Sequence, residues 1–190
     1  VLTAHHIVCD GWSYDVMSRD VGELYSLACR GQSDARPSPM QFRDYARWMV
    51  DYQRDARCEA DQTFWLRSLN APPPPLLLPT DLPRPPVRTF QGAMEVAVVG
   101  QPLSAAIKDL GSRKKCTLFS TLLAVYAVLL HRLTGQQDMI IGIPAAGQQL
   151  VEGQDLVGHC ANLLPLRLRV RPEQPFSEML AGVQQALLDA

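Results

Sequence analysis

The chain has 190 residues, 47% of them apolar and 19% charged, and a formal net charge of −1. This is the composition of a globular protein with one sizeable domain or two small lobes. It lacks the basic face of a nucleic-acid binder, since no Lys/Arg run exceeds Arg113-Lys114-Lys115. The longest apolar run, Leu122 to Leu130, is too short to span a bilayer. Five scattered cysteines (9, 29, 58, 116, 160) with no Cys-x-x-Cys pair argue against a zinc site or a disulfide framework. Reduced thiols in a cytoplasmic protein fit better. The opening Val1-Leu2-Thr3-Ala4-His5 lacks an initiator Met and a basic leader, and reads as a piece of a longer polypeptide.

In chain order, residues 1–6 are predicted as a strand end, followed by a turn at Asp10-Gly11. Ser13 is predicted to cap a helix carrying Val16, Val21, Leu24, Tyr25 and Ala28 on one face and ending at Gly31. Ser38-Pro39 starts a second helix, with Phe42, Tyr45, Ala46, Met49 and Tyr52 in register, and a third runs through Phe64, Trp65 and Leu69. Eight prolines between positions 72 and 86 exclude helix there, because each removes a donor and fixes φ. This segment is predicted as an extended linker between 1–71 and 87–190. Beyond it, Met94, Val96 and Val98 alternate as a strand would. Helices follow over 102–114 and 117–134, the second apolar on nearly every side, hence buried, and closed by Gly135. Strands over 139–143 and 163–170 precede a last helix from Pro175. The mixture predicts an α/β or α+β sandwich.

The densest polar cluster is His5-His6-Ile7-Val8-Cys9-Asp10-Gly11-Trp12-Ser13. Neighbouring strand residues face opposite ways, so His5 and His6 are not expected to serve one site or share one metal. An imidazole near neutral pH can take a proton from an attacking amine or hydroxyl. Asp10 can orient that imidazole or hold the turn. By the residues alone, a buried hydrogen-bonded His beside a structural turn is the more common arrangement. Cys9 as a nucleophile, with His6 or His159 as its base, is a rival with little support, since nothing nearby would lower its pKa. Gly-x-Ser-x-Gly, Gly-x-Gly-x-x-Gly and P-loop patterns are absent from the sequence.

The cluster resembles the HHxxxDGWS signature of condensation domains of non-ribosomal peptide synthetases. Gln41 to Trp48 is similar to that family's YxDYAxW helix, with Phe42 for Tyr. Thr117 to Asp138 is similar to its buried helix and TGQxD turn. Ile141 to Gly147 resembles the GxPxAGR segment, and Val157 to Arg167 resembles VGxFVNTLPLR. Two departures stand out: Gln148 replaces the usual Arg, so no basic partner for Asp10 is assigned there, and Cys160-Ala161-Asn162-Leu163 replaces Phe-Val-Asn-Thr. This wording is similar to condensation domains in hybrid polyketide–peptide assembly lines. Trp12 before Ser13 separates the chain from epimerising relatives, and a DxxxxD pattern of heterocyclising ones is absent.

The resemblance implies a two-lobed chloramphenicol-acetyltransferase-like fold, here truncated at both ends, with a tunnel between lobes. Residues 1–71 would be the end of the N-lobe and 87–190 most of the C-lobe, and the piece alone would be inactive. It implies amide formation between a donor acyl or peptidyl thioester and an acceptor aminoacyl thioester. Both would sit on phosphopantetheine arms of carrier domains, with an adenylation domain in the same synthetase and no cofactor or metal of the domain's own. His6 would serve the amine, and Gly11 would leave room for an arm and face the oxyanion. His5 and Asp10 would be structural, and Trp12, Ser13 and Asn162 would be tunnel candidates. Acyl transfer to a hydroxyl or from a coenzyme A thioester, and a non-catalytic carrier-docking module, remain as alternatives.

Overall fold

The computed structural model describes residues 1–151 and 155–190. They form six helices, α1 (Gly11–Cys29), α2 (Phe42–Tyr52), α3 (Ala56–Ser68), α4 (Gln101–Arg113), α5 (Leu118–Thr134) and α6 (Phe176–Asp189). Strands β1 (Asp138–Ala146) and β2 (Ala161–Arg169) pair in a two-stranded sheet, and a 3-10 turn spans Gly147–Leu150. The pairing is antiparallel, bracketed by Gly147 N–H to the Cys160 carbonyl and Val170 N–H to the Gln137 carbonyl.

Contacts divide the chain into two compact units, Val1–Asn70 with Gly142–Leu164, and Ala71–Ile141 with Pro165–Ala190. The units are not contiguous in sequence. Residues 142–164 group with the first unit, where their backbone and side chains meet the start of α1.

In the first unit, α1 begins one turn earlier than a Ser13 cap implies. Asp10 is the N-cap, its carboxylate accepting Ser13 N–H, while Ser13 Oγ accepts Asp10 N–H. The pattern is a capping box with Ser13 as its third helical residue. At the other end Gly31, at φ +66°, lets its N–H reach Ala28 and that of Gln32 reach Leu27, a Schellman closure that needs the left-handed region. Of the predicted apolar stripe only Val16 is buried; Val21, Leu24 and Tyr25 are exposed. Helix α2 lays Phe42, Tyr45, Trp48 and Tyr52 in a run of ring contacts, with centroids 5.9, 6.0 and 5.2 Å apart. Ala46, expected on that face, is exposed. Tyr45, Leu156 and Cys160 form the core there, with Met40, Trp48, Met49 and Val151 packed around them.

In the second unit, α5 packs against α4 and α6. Thr117 caps α5, and Gln184 of α6 accepts from Thr117 N–H and Ser120 Oγ. Gly111 of α4 meets Thr121 of α5 where a Cβ would sit 2.7 Å from its hydroxyl, so only glycine allows the helices this approach. Gly135 ends α5 at φ +74°, as expected. The all-round burial expected of α5 is not found. Leu123, Ala124, Ala127 and Leu130 are buried, but Leu118, Leu122, Val125, Tyr126, Leu129 and Leu133 are exposed, because α4 and α6 cover one face. Arg167 and Asp138 pair across the strands at 2.7 Å.

Two predicted strands are absent. Residues 94–98 are irregular and Met94, Val96 and Val98 exposed, with no ladder partner among the described residues. Residues 1–5 lack regular structure, and His6-Ile7-Val8 forms a turn closed by Val8 N–H on the His5 carbonyl.

Candidate functional site

The signature segment enters α1 through Asp10, and the start of a helix supplies N–H groups with no intrahelical carbonyl to bond. Asp10 is 3% exposed and Ser13 fully buried. Asp10 Oδ1 accepts from Ser13 N–H (3.0 Å), and Oδ2 accepts from Cys160 N–H (3.0 Å) and Ala161 N–H (3.1 Å). Gln148 Nε2 donates to both oxygens, at 3.2 and 2.9 Å. The Ser13 hydroxyl lies 2.8 Å from Asp10 Oδ1 and 2.9 Å from the Gly158 carbonyl, its single proton serving either, and it accepts Gly158 N–H at 3.0 Å. The cap thus ties residues 158–161 to the head of α1 across some 150 positions of sequence.

Every donor to Asp10 among the described residues is neutral. Burial alone pushes its carboxyl up; the Gln148 amide, then Ser13 and the Cys160 N–H, outweigh that and bring it down to about 2. The group is a permanent anion at neutral pH, walled from solvent. It bonds none of the histidines and is held instead by Ser13, Gln148, Cys160 and Ala161, contacts that suit a role in holding the turn. Gln148 makes that role possible without the Arg the resemblance led one to expect. Gln148 is 1% exposed, and its Oε1 has no hydrogen-bond partner among the described residues. Gly147 precedes it where a Cβ would collide with the Cys160 carbonyl and the Tyr45 hydroxyl. A residue without a side chain is what lets the 3-10 turn deliver Gln148 to Asp10.

The histidines separate, although not by strand alternation. His5 Nδ1 accepts Ile7 N–H at 3.1 Å, folding that ring onto its own turn. His6 Nδ1 lies 3.2 Å from His159 Nδ1, with ring centroids 4.9 Å apart at 80°. Both rings of this pair are exposed. Cys9 is buried, and its sulfur donates to the His5 carbonyl at 3.8 Å. The thiol has no imidazole partner, so the cysteine-nucleophile rival loses its geometry. Cys160 is likewise inert, its thiol pushed up to about 11 by burial and then by the Asp10 charge.

Gly11 is the first residue of α1, and a Cβ there would meet nothing within 4 Å. Trp12 follows it on the helix, 37% exposed. Asn162 lies in β2, its Oδ1 accepting Leu163 N–H at 2.8 Å, a local strand contact rather than one with His6 or Asp10. The structure therefore assembles Asp10, Ser13, Gln148 and Gly158 into one buried clamp and sets His6 against His159 beside it. The bonding of Gln148 and of His159 was missed by sequence reasoning, although both lie in segments whose neighbours carry the resemblance.

The chain is 38% identical over its full length to phosphinothricin tripeptide synthetase PhsC of Streptomyces viridochromogenes, of which it spans 18%. Among solved structures, 98% of the chain superposes on 42% of the SgcC5 protein of Streptomyces globisporus at 30% identity and TM-score 0.83. It also superposes, over 98% of its length, on 43% of the first condensation domain of the calcium-dependent antibiotic synthetase at 23% identity and TM-score 0.77, a likeness of fold. The mixed α/β class expected from the sequence is thus the class of these structures. The family model for the condensation domain matches residues 1–190, every element of the clamp included, and the chain belongs to the condensation-domain family.

Proposed function

We propose that the domain of which this chain is part forms an amide between two carrier-bound thioesters. The amine of an acceptor aminoacyl thioester attacks the carbonyl carbon of a donor acyl or peptidyl thioester. A C–N bond forms, the C–S bond breaks, and one amine proton ends on the departing thiol. Both thioesters hang on phosphopantetheine arms of partner carrier domains, beside an adenylation domain in the same synthetase. The domain supplies positioning and proton handling.

The observation that carries this reading is the exposed His6 ring, fixed at Nδ1, beside a clamp that leaves Gly11 open. With Nδ1 engaged, Nε2 is the atom that meets the acceptor amine, taking its proton or holding it by a hydrogen bond. An α-ammonium already titrates near neutral pH, so orientation supplies much of the effect. The space beside Gly11 suits the passage of a pantetheine arm, and its N–H, at the first position of a helix, suits a developing oxyanion. Trp12, Ser13 and Asn162 are assigned weaker parts. Ser13 acts through the clamp, and Trp12 and Asn162 line the substrate path.

The test is transfer between loaded carriers by the complete parent domain, wild type and His6→Ala, read by intact-protein mass spectrometry. Acyl transfer to the acceptor amine that falls about 100-fold or more in the variant supports the reading. Equal transfer by both proteins removes His6 from the chemistry. Transfer to an alcohol acceptor instead points to the hydroxyl-directed alternative, and carrier binding without transfer by either protein points to a docking module.

A further inference from the structure

We infer that His159 is a positioning residue for the reaction, holding His6 in the one tautomer that leaves Nε2 free to receive the acceptor's proton. This rests on the reading that His6 serves the amine. The resembled segment leaves this position unspecified (the x of VGxFVNT), so nothing in the motif assigns it a part.

The geometry begins with the backbone. His159 lies between two anchored residues: Gly158 N–H donates to Ser13 Oγ, which lies 2.9 Å from the Gly158 carbonyl, and Cys160 N–H donates to Asp10 Oδ2. Gly158 is also pressed against the Phe42 ring, where a Cβ would collide. The residue between them has little freedom to shift along the chain. Its ring meets His6 edge-on, Nδ1 to Nδ1 at 3.2 Å. His6 itself follows His5, whose ring is pinned by Ile7 N–H, and precedes the turn into the clamped Asp10. The same buried clamp therefore presents both imidazoles to each other, although 153 residues separate them.

Two imidazole nitrogens at hydrogen-bond distance need one proton between them. When that proton is on His6 Nδ1, His159 Nδ1 accepts it and His6 Nε2 carries a lone pair. His159 then stands to His6 as an orienting acceptor stands to a catalytic base, but without a charge. As the C–N bond forms, the amine proton passes to His6 Nε2, and the imidazolium keeps its Nδ1–H bond to His159. As the C–S bond breaks, that proton passes to the leaving sulfur. One proton moves from nitrogen to sulfur, and His159 ends as it began.

The test uses the complete parent domain with donor- and acceptor-loaded carriers, in His159→Leu, His159→Asn, His159→Ala and His6→Ala forms. Asn sets an amide oxygen near the place of Nδ1, so it can accept from His6; Leu fills similar space and cannot. The single-turnover rate at saturating carriers is expected to fall about tenfold or more in His159→Leu, with half-saturating carrier concentration unchanged, and to recover to within about threefold of wild type in His159→Asn. Should His159→Leu melt early, His159→Ala replaces it as the removal variant. Wild-type rates in the removal variants, with His6→Ala inactive, overturn the role of His159 alone. An Asn variant as slow as Leu does the same, because the ring's shape rather than its Nδ1 bond would then matter. A His6→Ala domain as fast as wild type overturns the proposed function and this inference with it.

Discussion

Asp10 and His6 stand four residues apart in one motif and live in opposite surroundings. Asp10 is sealed, saturated by donors on both oxygens and out of reach of any substrate; His6 is exposed and tied at one nitrogen. The motif contains two devices. One is a buried capping box extended to a distant segment, which decides where the backbone goes. The other is an imidazole pair carried on that backbone, which on the proposed reading meets the acceptor amine. A single change in either should reveal which it is, because the first should move stability and the second rate.

The largest effects separate the two outright. His6→Ala should abolish most transfer while leaving the unfolding free energy of the parent domain within about 0.5 kcal/mol of wild type, since an exposed ring contributes little to folding. Asp10→Ala should do the reverse first. It strands the N–H groups of Ser13, Cys160 and Ala161 and the Gln148 amide in a buried place, at a cost of about 3–5 kcal/mol in urea unfolding. A well-folded, inactive Asp10→Ala domain would break the comparison. The acid limb sharpens it. The folded carboxyl titrates at about 2, below its unfolded value, so the stabilisation it gives is complete above about pH 4 and is lost as pH falls from about 4 towards 2. That loss, on the order of 2 kcal/mol, should be missing from the acid unfolding curve of Asp10→Ala.

Next comes the backbone that delivers the clamp. Gly147→Ala drives a methyl into the Cys160 carbonyl, a backbone atom that bonds Gly147 itself at 3.0 Å, so the strand end must part. About 2–3 kcal/mol is expected, at the level of overpacking in a fixed site. Gly158→Ala meets first the Phe42 ring, a side chain that is 44% exposed and can swing outward, and should cost less. Equal losses in the two variants would mean that Phe42 is held as firmly as the strand.

Such contrasts mark how far the sequence could be read. What is local was legible: the termination of α1 at Gly31 and of α5 at Gly135, because left-handed residues leave a mark in a short window. The Asp10–Gly11 turn was legible as a turn but not as a cap, since Asp and Ser both suit that position and only the bonds of the capping box distinguish them. Alternation over 94–98 and at the chain's start suggested strands, but a strand is made by its partner, and no described residue pairs there. The closure of the site was least legible. Asp10 meets Gln148, Cys160 and Ala161 only after the chain has folded back, and no periodicity encodes which side chain arrives. At position 148 an amide donates to the carboxylate where the resemblance implies a cation.

The smallest expected effect tests how much that amide contributes. Gln148→Leu removes both bonds to Asp10, and four other donor contacts remain: Ser13 N–H and Oγ, Cys160 N–H and Ala161 N–H. It also removes the buried Oε1, which has no partner among the described residues and whose desolvation is a cost to the folded state. The two changes oppose each other, so the net loss at neutral pH should be only about 1 kcal/mol. The carboxyl, however, loses its foremost stabilising bond, and its pKa should rise towards the ordinary value. The acid limb of Gln148→Leu should therefore begin at the same pH, which the unfolded carboxyl sets, and lose less between pH 4 and pH 2. A loss as large as that of Asp10→Ala would show that Gln148, rather than the backbone N–H groups, keeps the carboxylate in place, and would move the weight of the clamp from the strand end to a single side chain.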